Sequence, residues 1–305
     1  RAAGATTKPS EAELKAKIIE FLWWMKKQGY KEATIEGYGD RLKRLLRLGV
    51  NLFNPESVKD VIAQQDRWSI ARKEAVARAY DLFVKWLGLH WEKPSFKPPR
   101  KLPFIPLERE IDDLIAGCPK HIATFLQIAK ETGARAGEIY NLKWTDIDSE
   151  NRKLAITPEK GSEPRILKIS NRLLGMLNTL PKEGEYVFKN HYVNLRSLQR
   201  CFERCRRRVA AKLNNPRLLK ITFHTLRHWK GTMLYRQTRD ILFVMRFLGH
   251  RNIKNTMVYV HLAEALNGER DDEYVSAVAK TVDEVRRLVE QGFEYVCDIE
   301  NYKGI

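Results

Sequence analysis

The stretch VMRFLGHRNIKNTMVYVH, residues Val244 to His261, joins an apolar helical pattern to a basic segment. The apolar residues of its first half recur at helical spacing up to Gly249, which predicts a helix that ends there. His250 follows the helix end directly, and Tyr259 comes nine residues later. We therefore expect the histidine at a fixed position and the tyrosine on a segment that can move relative to it. An ordinary rigid loop is the alternative.

The whole chain is strongly basic. Its 305 residues include 55 lysines and arginines against 38 aspartates and glutamates, a formal net charge of +17. Such a surplus on a chain with 43% apolar residues indicates a polyanionic partner, and nucleic acid is the usual one. A generally basic surface, as in ribosomal proteins, is the alternative that charge leaves open.

Length and composition narrow the class of protein. A chain of this length predicts about two domains. No apolar run approaches the roughly 20 residues of a membrane span, and no signal peptide is visible, so we expect a cytoplasmic protein without a membrane partner. The four cysteines and seven histidines have none of the spacings of a metal site, which predicts no bound metal.

Residues 1–91 predict a small all-helical domain. Ser10 and Glu13 form a capping box before the first helix, and further helices are expected from about Thr34, from Asn54 and from Ser69. Basic residues occupy the polar faces of these helices. Residues 92–106 contain five prolines, which excludes a continued helix and predicts an extended linker.

Residues 107–305 predict a second domain that is mostly helical with one small sheet. Helices are expected at residues 107–117, 121–132, 136–142, 194–213, 224–235 and 240–248. The segments KLAIT and RILKIS, separated by the turn-like PEKGSEP, predict a β-hairpin. A capping box at residues 281–284 opens another helix, and FEYVCDI beyond it alternates like a strand.

Two basic residues of this domain lie at turns. Arg135 follows Gly133 at the start of a predicted helix, so its guanidinium projects from a fixed point; a helix-capping arginine paired with Glu138 is the alternative. Lys160 lies at the tip of the hairpin, where a solvated turn residue is the alternative. Lys168 lies on the same hairpin, and the tip position favours Lys160.

The segment FHTLRHW places His224 and Arg227 at i and i+3 of a predicted helix, on one face. A bidentate guanidinium beside a titratable imidazole can clamp an oxyanion. Together with the residues above, these form a coherent set for one reaction at a phosphodiester. Arginines meet the added negative charge of the transition state, and a lysine protonates the departing 5′ oxygen. Neighbouring cations stabilise the phenolate of a tyrosine, whose usual pKa is about 10.

The order of these motifs resembles the tyrosine recombinase (phage integrase) family, with its Xer-like and mobile-element integrase members. T-G-x-R-x-x-E, a hairpin lysine, H-x-L-R-H, L-G-H and a tyrosine follow in the family's order, and the resemblance covers essentially the whole chain. It implies a mostly α fold with a small antiparallel sheet. An all-helical core-binding domain and an α+β catalytic domain would form a C-shaped clamp around double-stranded DNA.

The resemblance implies a catalytic role for six residues: Arg135, Lys160, His224, Arg227, His250 and Tyr259. The two arginines would clamp the scissile phosphate, and His224 would contact it. Lys160 would be the general acid, and His250 would bind the phosphate or orient the nucleophile. Tyr259 would attack to form a 3′-phosphotyrosyl link, while Glu138 would buttress the site. ATP is not needed, because the covalent link retains the bond energy. No metal or other cofactor is implied, which fits the missing carboxylate cluster.

The resemblance also implies a homotetramer acting on two duplexes, with a monomer expected off DNA. Six basic residues are candidate DNA contacts: Arg41, Arg44, Arg72, Arg78, Arg196 and Arg200. The tail from about residue 263 would dock on a neighbouring protomer or pack on its own domain. A catalytically silent DNA-binding protein and a type IB topoisomerase-like enzyme are alternatives on the same fold. Mobile-element integrase and chromosome-dimer resolvase both fit the motifs.

The chain departs from the family pattern at two places. Trp229 stands where the family often has a small or hydroxylated residue, which is expected to alter packing behind the histidine. The segment Gln237–Arg239 lacks the usual glycine between two helices. Neither departure removes a residue of the catalytic set.

Overall fold

The computed structural model describes residues 9–99, 101–159, 161–267, 278–279 and 281–290. Lys160, the strand expected at residues 293–299 and most of the C-terminal tail lie outside these residues. By its internal contacts the chain divides into two compact units, Arg1–Lys101 and Leu102–Ile305. In the part of the chain that is described, no helix is both long and apolar enough to cross a membrane.

The first unit is helical, with α1 (Glu11–Lys27), α2 (Glu32–Arg47), α3 (Pro55–Ala63) and α4 (Ile70–Leu87). Local chemistry explains three of the helix starts. Ser10 and Glu13 form the predicted capping box, and the side chains of Asn54 and Ser69 accept backbone N–H groups at the starts of α3 and α4. The buried stripes of the helices meet in one aromatic and aliphatic core, which leaves the basic residues outside.

The second unit consists of helices around a small sheet. Its helices are α5 (Glu108–Gly117), α6 (Lys120–Thr132), α7 (Ala136–Tyr140), α8 (Asn171–Asn178), α9 (Leu195–Lys212), α10 (Phe223–Thr238), α11 (Ile241–Leu248), α12 (Val258–Asn267) and α13 (Val282–Glu290). Its strands are β1 (Ile147–Asp148), β2 (Lys153–Ile156) and β3 (Arg165–Lys168), antiparallel in the order β1-β2-β3. The predicted fold class, mostly α with a small antiparallel sheet, is confirmed.

Two short elements, a helix and a strand, were not predicted from the sequence. Helix α8 has eight residues and is capped by Ser170, whose Oγ accepts the N–H of Leu173 at 3.1 Å. Strand β1 has only two residues and pairs with β2. Helix α8 does carry local signals, the Ser170 cap and buried Leu173 and Leu177 one turn apart, which were not used to predict it. Strand β1 is too short to display a period, so its pairing with β2 determines its structure.

Helix α10 is the central element of the second unit and packs against both α6 and α12. Trp229 is 7% exposed and belongs to the main core, with Lys130 Nζ 5.7 Å from its ring centre. The tryptophan therefore packs on the core side of α10. Arg239 ends the helix with φ of 53°, the left-handed conformation that usually takes glycine.

Candidate active site

Arg227 is held inside the protein by two helix ends. Its side chain is 1% exposed, and its two terminal nitrogens donate to the carbonyl oxygens of Gly133 at 2.7 Å and Leu248 at 2.8 Å. These carbonyls lie at the C-terminal ends of α6 and α11, where the helix dipole is negative. Burial and the charge of Arg135 lower the pKa of Arg227 to about 10, so the guanidinium stays charged at neutral pH.

His224 lies one turn before Arg227 on α10, at an exposed position. The expected clamp of His224 and Arg227 therefore has one exposed group, the imidazole, and one buried group, the guanidinium. The ring of His224 is 4.5 Å, centre to centre, from that of His228, which lies 5.9 Å from the ring of Tyr259. His228 was not among the predicted site residues, although it is the last histidine of the HTLRH motif.

Arg135 precedes α7, and its backbone N–H donates to Glu138 Oε2 at 2.9 Å. Its side chain is 26% exposed, and its guanidinium lies 3.4 Å from Glu138 Oε1. Arg135 therefore combines a capping contact with a partly free side chain. It lines a cleft together with His224.

Glu138 is almost fully buried and connects three parts of the site. Its carboxylate accepts Arg165 at 2.7 Å and the Ser162 hydroxyl at 2.7 Å, besides its contacts with Arg135. Burial alone would raise the pKa of Glu138, but the hydrogen bond and charge of Arg165 lower it below the usual value. Arg165 and Ser162 come from the hairpin, and the sequence analysis did not identify either.

His250 is anchored to the segment that carries the tyrosine. It is 7% exposed, and its Nδ1 lies 2.9 Å from the hydroxyl of Thr256, which is fully buried. Burial and then the charges of Arg227 and Arg135 lower the pKa of His250 to about 3. The ring is therefore neutral at physiological pH and acts by hydrogen bonding rather than by charge.

Tyr259 is 1% exposed and is the second residue of α12. Its ring lies parallel to that of His250 at 6.2 Å and directly on α10, where a methyl group at Gly231 would come within 2.6 Å of Cζ. In the described state Tyr259 packs in an apolar cluster with Leu248 and Leu262. The movement of its segment relative to His250 stays a prediction.

The electrostatics of Tyr259 differ from the sequence expectation. Burial raises the pKa of the phenol, and the nearby charges of Arg227 and Arg135 offset only part of that rise. The described state therefore holds Tyr259 as a neutral phenol. Cations lie close to the phenol, as expected, but exclusion of water has the larger effect.

The cleft beside Arg135 and His224 is lined on its other side by α9, through Gln199, Glu203 and Arg206. Arg196 and Arg200, the predicted contacts on this helix, are exposed. The residues lining the cleft recur at i, i+4 and i+7 beside the buried stripe of α9, a signal that helical spacing could have revealed.

The basic residues proposed on the first unit differ in their contacts. Arg72 stacks over Trp68 at 4.9 Å, and Arg41 donates to a backbone carbonyl of its own helix. Arg78 pairs with Glu74 at 3.3 Å. Within the described residues, Arg44 is exposed and forms no ion pair. Arg44 thus has the freest guanidinium of the four.

The five predicted site residues that are described lie in one cluster, whereas Lys160 is outside the described residues. Among residues with described side chains, no three histidine, cysteine, aspartate or glutamate residues are arranged to hold a metal ion. Positive charge in the cluster comes from arginines, because burial lowers the pKa values of His224, His228 and His250. Such a cluster can bind a phosphodiester through guanidinium groups and offer it a phenol oxygen.

The lowered pKa of His250 predicts a pH-dependent stability. Between about pH 3 and the unfolded value of about 6.5, the unfolded chain binds a proton that the folded chain does not. Stability is fully present above pH 6.5 and falls with decreasing pH, by up to about 1.4 kcal/mol per pH unit. We expect the His250→Gln variant to have a flatter dependence of Tm on pH between 6.5 and 4.5. The exposed His261→Gln variant is the control, and an equal slope in all three proteins would contradict the prediction.

The fold and the cluster define a mostly helical protein with a buried tyrosine close to two arginines, and known sequences identify the family. Residues 107–265 match the phage integrase family. The chain therefore belongs to this family, the tyrosine recombinases, which are enzymes of site-specific DNA recombination.

Relatives extend the similarity along the chain. Over 273 residues it is 25% identical to tyrosine recombinase XerA of Pyrococcus furiosus, covering 84% of this chain and 95% of that protein. Over 262 residues it is 24% identical to a tyrosine recombinase of Thermosipho africanus, covering 77% of this chain and 90% of that protein.

Solved structures show the same fold. A lambda integrase tetramer bound to a Holliday junction is similar with a TM-score of 0.63 and 15% identity, covering 92% of this chain and 86% of that one. XerH site-specific recombinase bound to difH substrate is similar with a TM-score of 0.60 and 18% identity, covering 86% of this chain and 97% of that one. At these identities the likeness concerns the fold alone.

Proposed function

We propose that this protein is a site-specific recombinase that cuts and rejoins double-stranded DNA through a 3′-phosphotyrosyl intermediate on Tyr259. One observation carries the proposal: Tyr259 lies beside Arg227 and within the field of Arg135, with neutral His250 against its ring. A buried phenol close to two guanidinium groups has a polar role besides its packing in the apolar cluster. It is suited to a reaction in which a phosphate supplies the missing negative charge.

In the cleavage step the oxygen of Tyr259 bonds to phosphorus, and the bond from phosphorus to the 5′ oxygen breaks. The phenol proton passes to a neutral imidazole of the site, and Lys160 protonates the departing 5′ oxygen. Arg135 and Arg227 neutralise the charge that develops on the non-bridging oxygens. Attack on the phosphotyrosine by a 5′ hydroxyl of the exchanged strand reverses the step, so no ATP is required. We propose no metal either, because the arginines neutralise the charge and Lys160 supplies the proton.

The burial of Tyr259 limits when cleavage can occur. The cleft that Arg135 and His224 share with α9 opens to the surface, whereas the phenol lies beneath α10. A phosphate that enters the cleft meets Arg135 and His224 before it meets the nucleophile. We therefore assign Tyr259 a withdrawn position, from which α12 presents it once DNA is bound.

We propose that basic residues of both units contact the duplex, with α9 in the major groove. The solved neighbours include a tetramer on a Holliday junction. For this chain we likewise propose a homotetramer on two duplexes, with the C-terminal tail reaching a neighbouring protomer. Such an assembly acts on DNA in the cytoplasm, at the nucleoid.

The proposal is tested with a duplex recovered by repeated selection from a randomised library for binding to this protein. The duplex is nicked next to the cleavage position, so that cleavage releases a short strand and traps the protein. We expect an adduct that resists denaturant, forms in EDTA and maps to Tyr259 by peptide mass spectrometry. Tight binding with no adduct at any nick position would instead support the catalytically silent DNA-binding protein.

The proposed role of α9 predicts a change in the salt dependence of binding. Arg196→Gln and Arg200→Gln should each weaken binding several-fold and reduce the slope of log K against log salt by about one, since each removes one phosphate contact. The control is Arg172→Gln on α8, because this arginine is 56% exposed and its ion pair with Asp112 is long, at 3.9 Å. Equal slopes in all variants would exclude α9 from the phosphate contacts.

A further inference from the structure

The carboxylate of Glu138 lies between two arginines but binds them unequally. Arg165 donates to Oε2 at 2.7 Å, whereas the guanidinium of Arg135 is 3.4 Å from Oε1. Oε2 has a second short donor, the Arg135 backbone N–H at 2.9 Å, and Oε1 has one short donor, the Ser162 hydroxyl at 2.7 Å. The short contacts satisfy Glu138 without the guanidinium of Arg135.

We propose that Arg165 is a positioning residue that holds the Glu138 carboxylate and thereby leaves the guanidinium of Arg135 free for the scissile phosphate. The inference rests on the proposed function, in which Arg135 clamps that phosphate. Without Arg165, Glu138 would be a buried carboxylate with one cation left in reach. A buried carboxylate and an adjacent arginine form short bidentate pairs, because an unpaired buried charge is strongly unfavourable.

The surroundings of Arg165 indicate a role beyond packing. Its side chain is 5% exposed, and among the described residues its Nε has no hydrogen-bond partner. Its other side-chain hydrogen bond, to the Glu163 carbonyl, is long at 3.4 Å. A buried arginine with so few partners is unfavourable for stability, and an apolar residue would fill the same space on β3. The positive charge of Arg165 is therefore the property that an apolar residue could not replace.

Arg165 also lies where three parts of the site meet. It reaches from the hairpin to Glu138 at α7, and a methyl group at Gly249 would come within 2.9 Å of its guanidinium. Gly249 lies between Leu248, whose carbonyl binds Arg227, and His250. After burial, Arg227 and Arg135, the charge of Arg165 is the next influence that lowers the pKa of His250. Arg165 therefore acts on both phosphate-binding sides of the cluster.

The test compares single and double variants. With Arg165→Met, Glu138 is expected to pull Arg135 into a short pair, and the rate of adduct formation should fall by about 10- to 100-fold. Adding Glu138→Gln removes the competing charge, so Arg165→Met/Glu138→Gln should recover to within several-fold of wild type. Arg165→Lys keeps the charge on β3 and should stay near wild type.

A purely structural role predicts the opposite pattern. If Arg165 only braces the hairpin, the two losses add and the double variant is at least as slow as Arg165→Met, which overturns the proposal. The double variant carries no unpaired buried charge, so it also provides a folded protein if Arg165→Met does not fold.

A crystal structure of Arg165→Met, or of Arg165→Gln if the methionine variant does not fold, gives a readout independent of recombination. The distance from the Arg135 guanidinium to Glu138 should shorten from 3.4 Å to about 2.8 Å, the length of a charge-assisted hydrogen bond. An unchanged distance overturns the proposal even if the protein forms adducts normally. If the distance shortens but even the wild-type protein forms no adduct, the proposed contact is retained and only the proposed function is rejected.

Discussion

Replacing Tyr259 with phenylalanine is expected to abolish the covalent protein–DNA adduct while leaving DNA binding unchanged. Phenylalanine has no oxygen to bond to phosphorus, yet it preserves the ring that packs with Leu248 and Leu262. Loss of a nucleophile typically lowers the rate by about 10⁴-fold or more, which puts the adduct below detection. Denaturing gels measure adduct formation, and mobility shifts on the same nicked duplex measure binding.

Tyr235→Phe is the matched control, because Tyr235 packs on the same apolar cluster as Tyr259. The control should form the adduct at the wild-type rate. An adduct with Tyr259→Phe would identify a different nucleophile and would leave Tyr259 a packing role only. If neither variant binds, the shared cluster has been disrupted, and Tm separates that outcome from a change in chemistry.

Local signals predicted most of the helices because each carries its own start, period and stop. The capping box of Ser10 and Glu13 and the glycine ends at Gly133 and Gly249 lie where the structure has them. Segments without such signals could be assigned only from the three-dimensional structure. Helix α12 is an example: apolar residues flank Tyr259, but the basic residues before it give no helix start, and this helix was not predicted.

The motif residues were predictable because they lie in short motifs along the chain. Arg165 and Glu138 are 27 positions apart, and only the pairing of β2 with β3 brings the arginine to α7. The sequence also could not predict whether the pKa of Tyr259 is raised or lowered. The direction of the shift depends on how much water α10 and α12 exclude, and neither motif spacing nor net charge measures that exclusion.

The buried state of the cluster explains why its arginines differ. Arg227 donates two short hydrogen bonds to carbonyls at the ends of α6 and α11. The guanidinium of Arg135 is partly exposed at the cleft, and its contact with Glu138 is long. A phosphate arriving in the cleft would compete with weak partners at Arg135 and with strong ones at Arg227. The two arginines are therefore expected to respond very differently to replacement.

Arg227→Met is expected to destabilise the protein as well as abolish cleavage. The variant leaves the carbonyls of Gly133 and Leu248 buried without the donor that now satisfies them. Each such loss reduces stability by about 1–3 kcal/mol, so we expect about 2–6 kcal/mol in total. For a domain of this size, that corresponds to a decrease in Tm of roughly 4–24 °C.

Arg135→Met is the control, because its side chain is 26% exposed and makes only a 3.4 Å contact with Glu138. It should lose cleavage to a similar degree while Tm changes by no more than about 3 °C, as for a partly exposed ion pair. Thermal unfolding and the nicked-duplex assay on both variants measure the two effects separately. Equal Tm values for Arg227→Met and wild type would mean that Arg227 does not bridge the two helix ends, and its charge alone would then account for its place in the site.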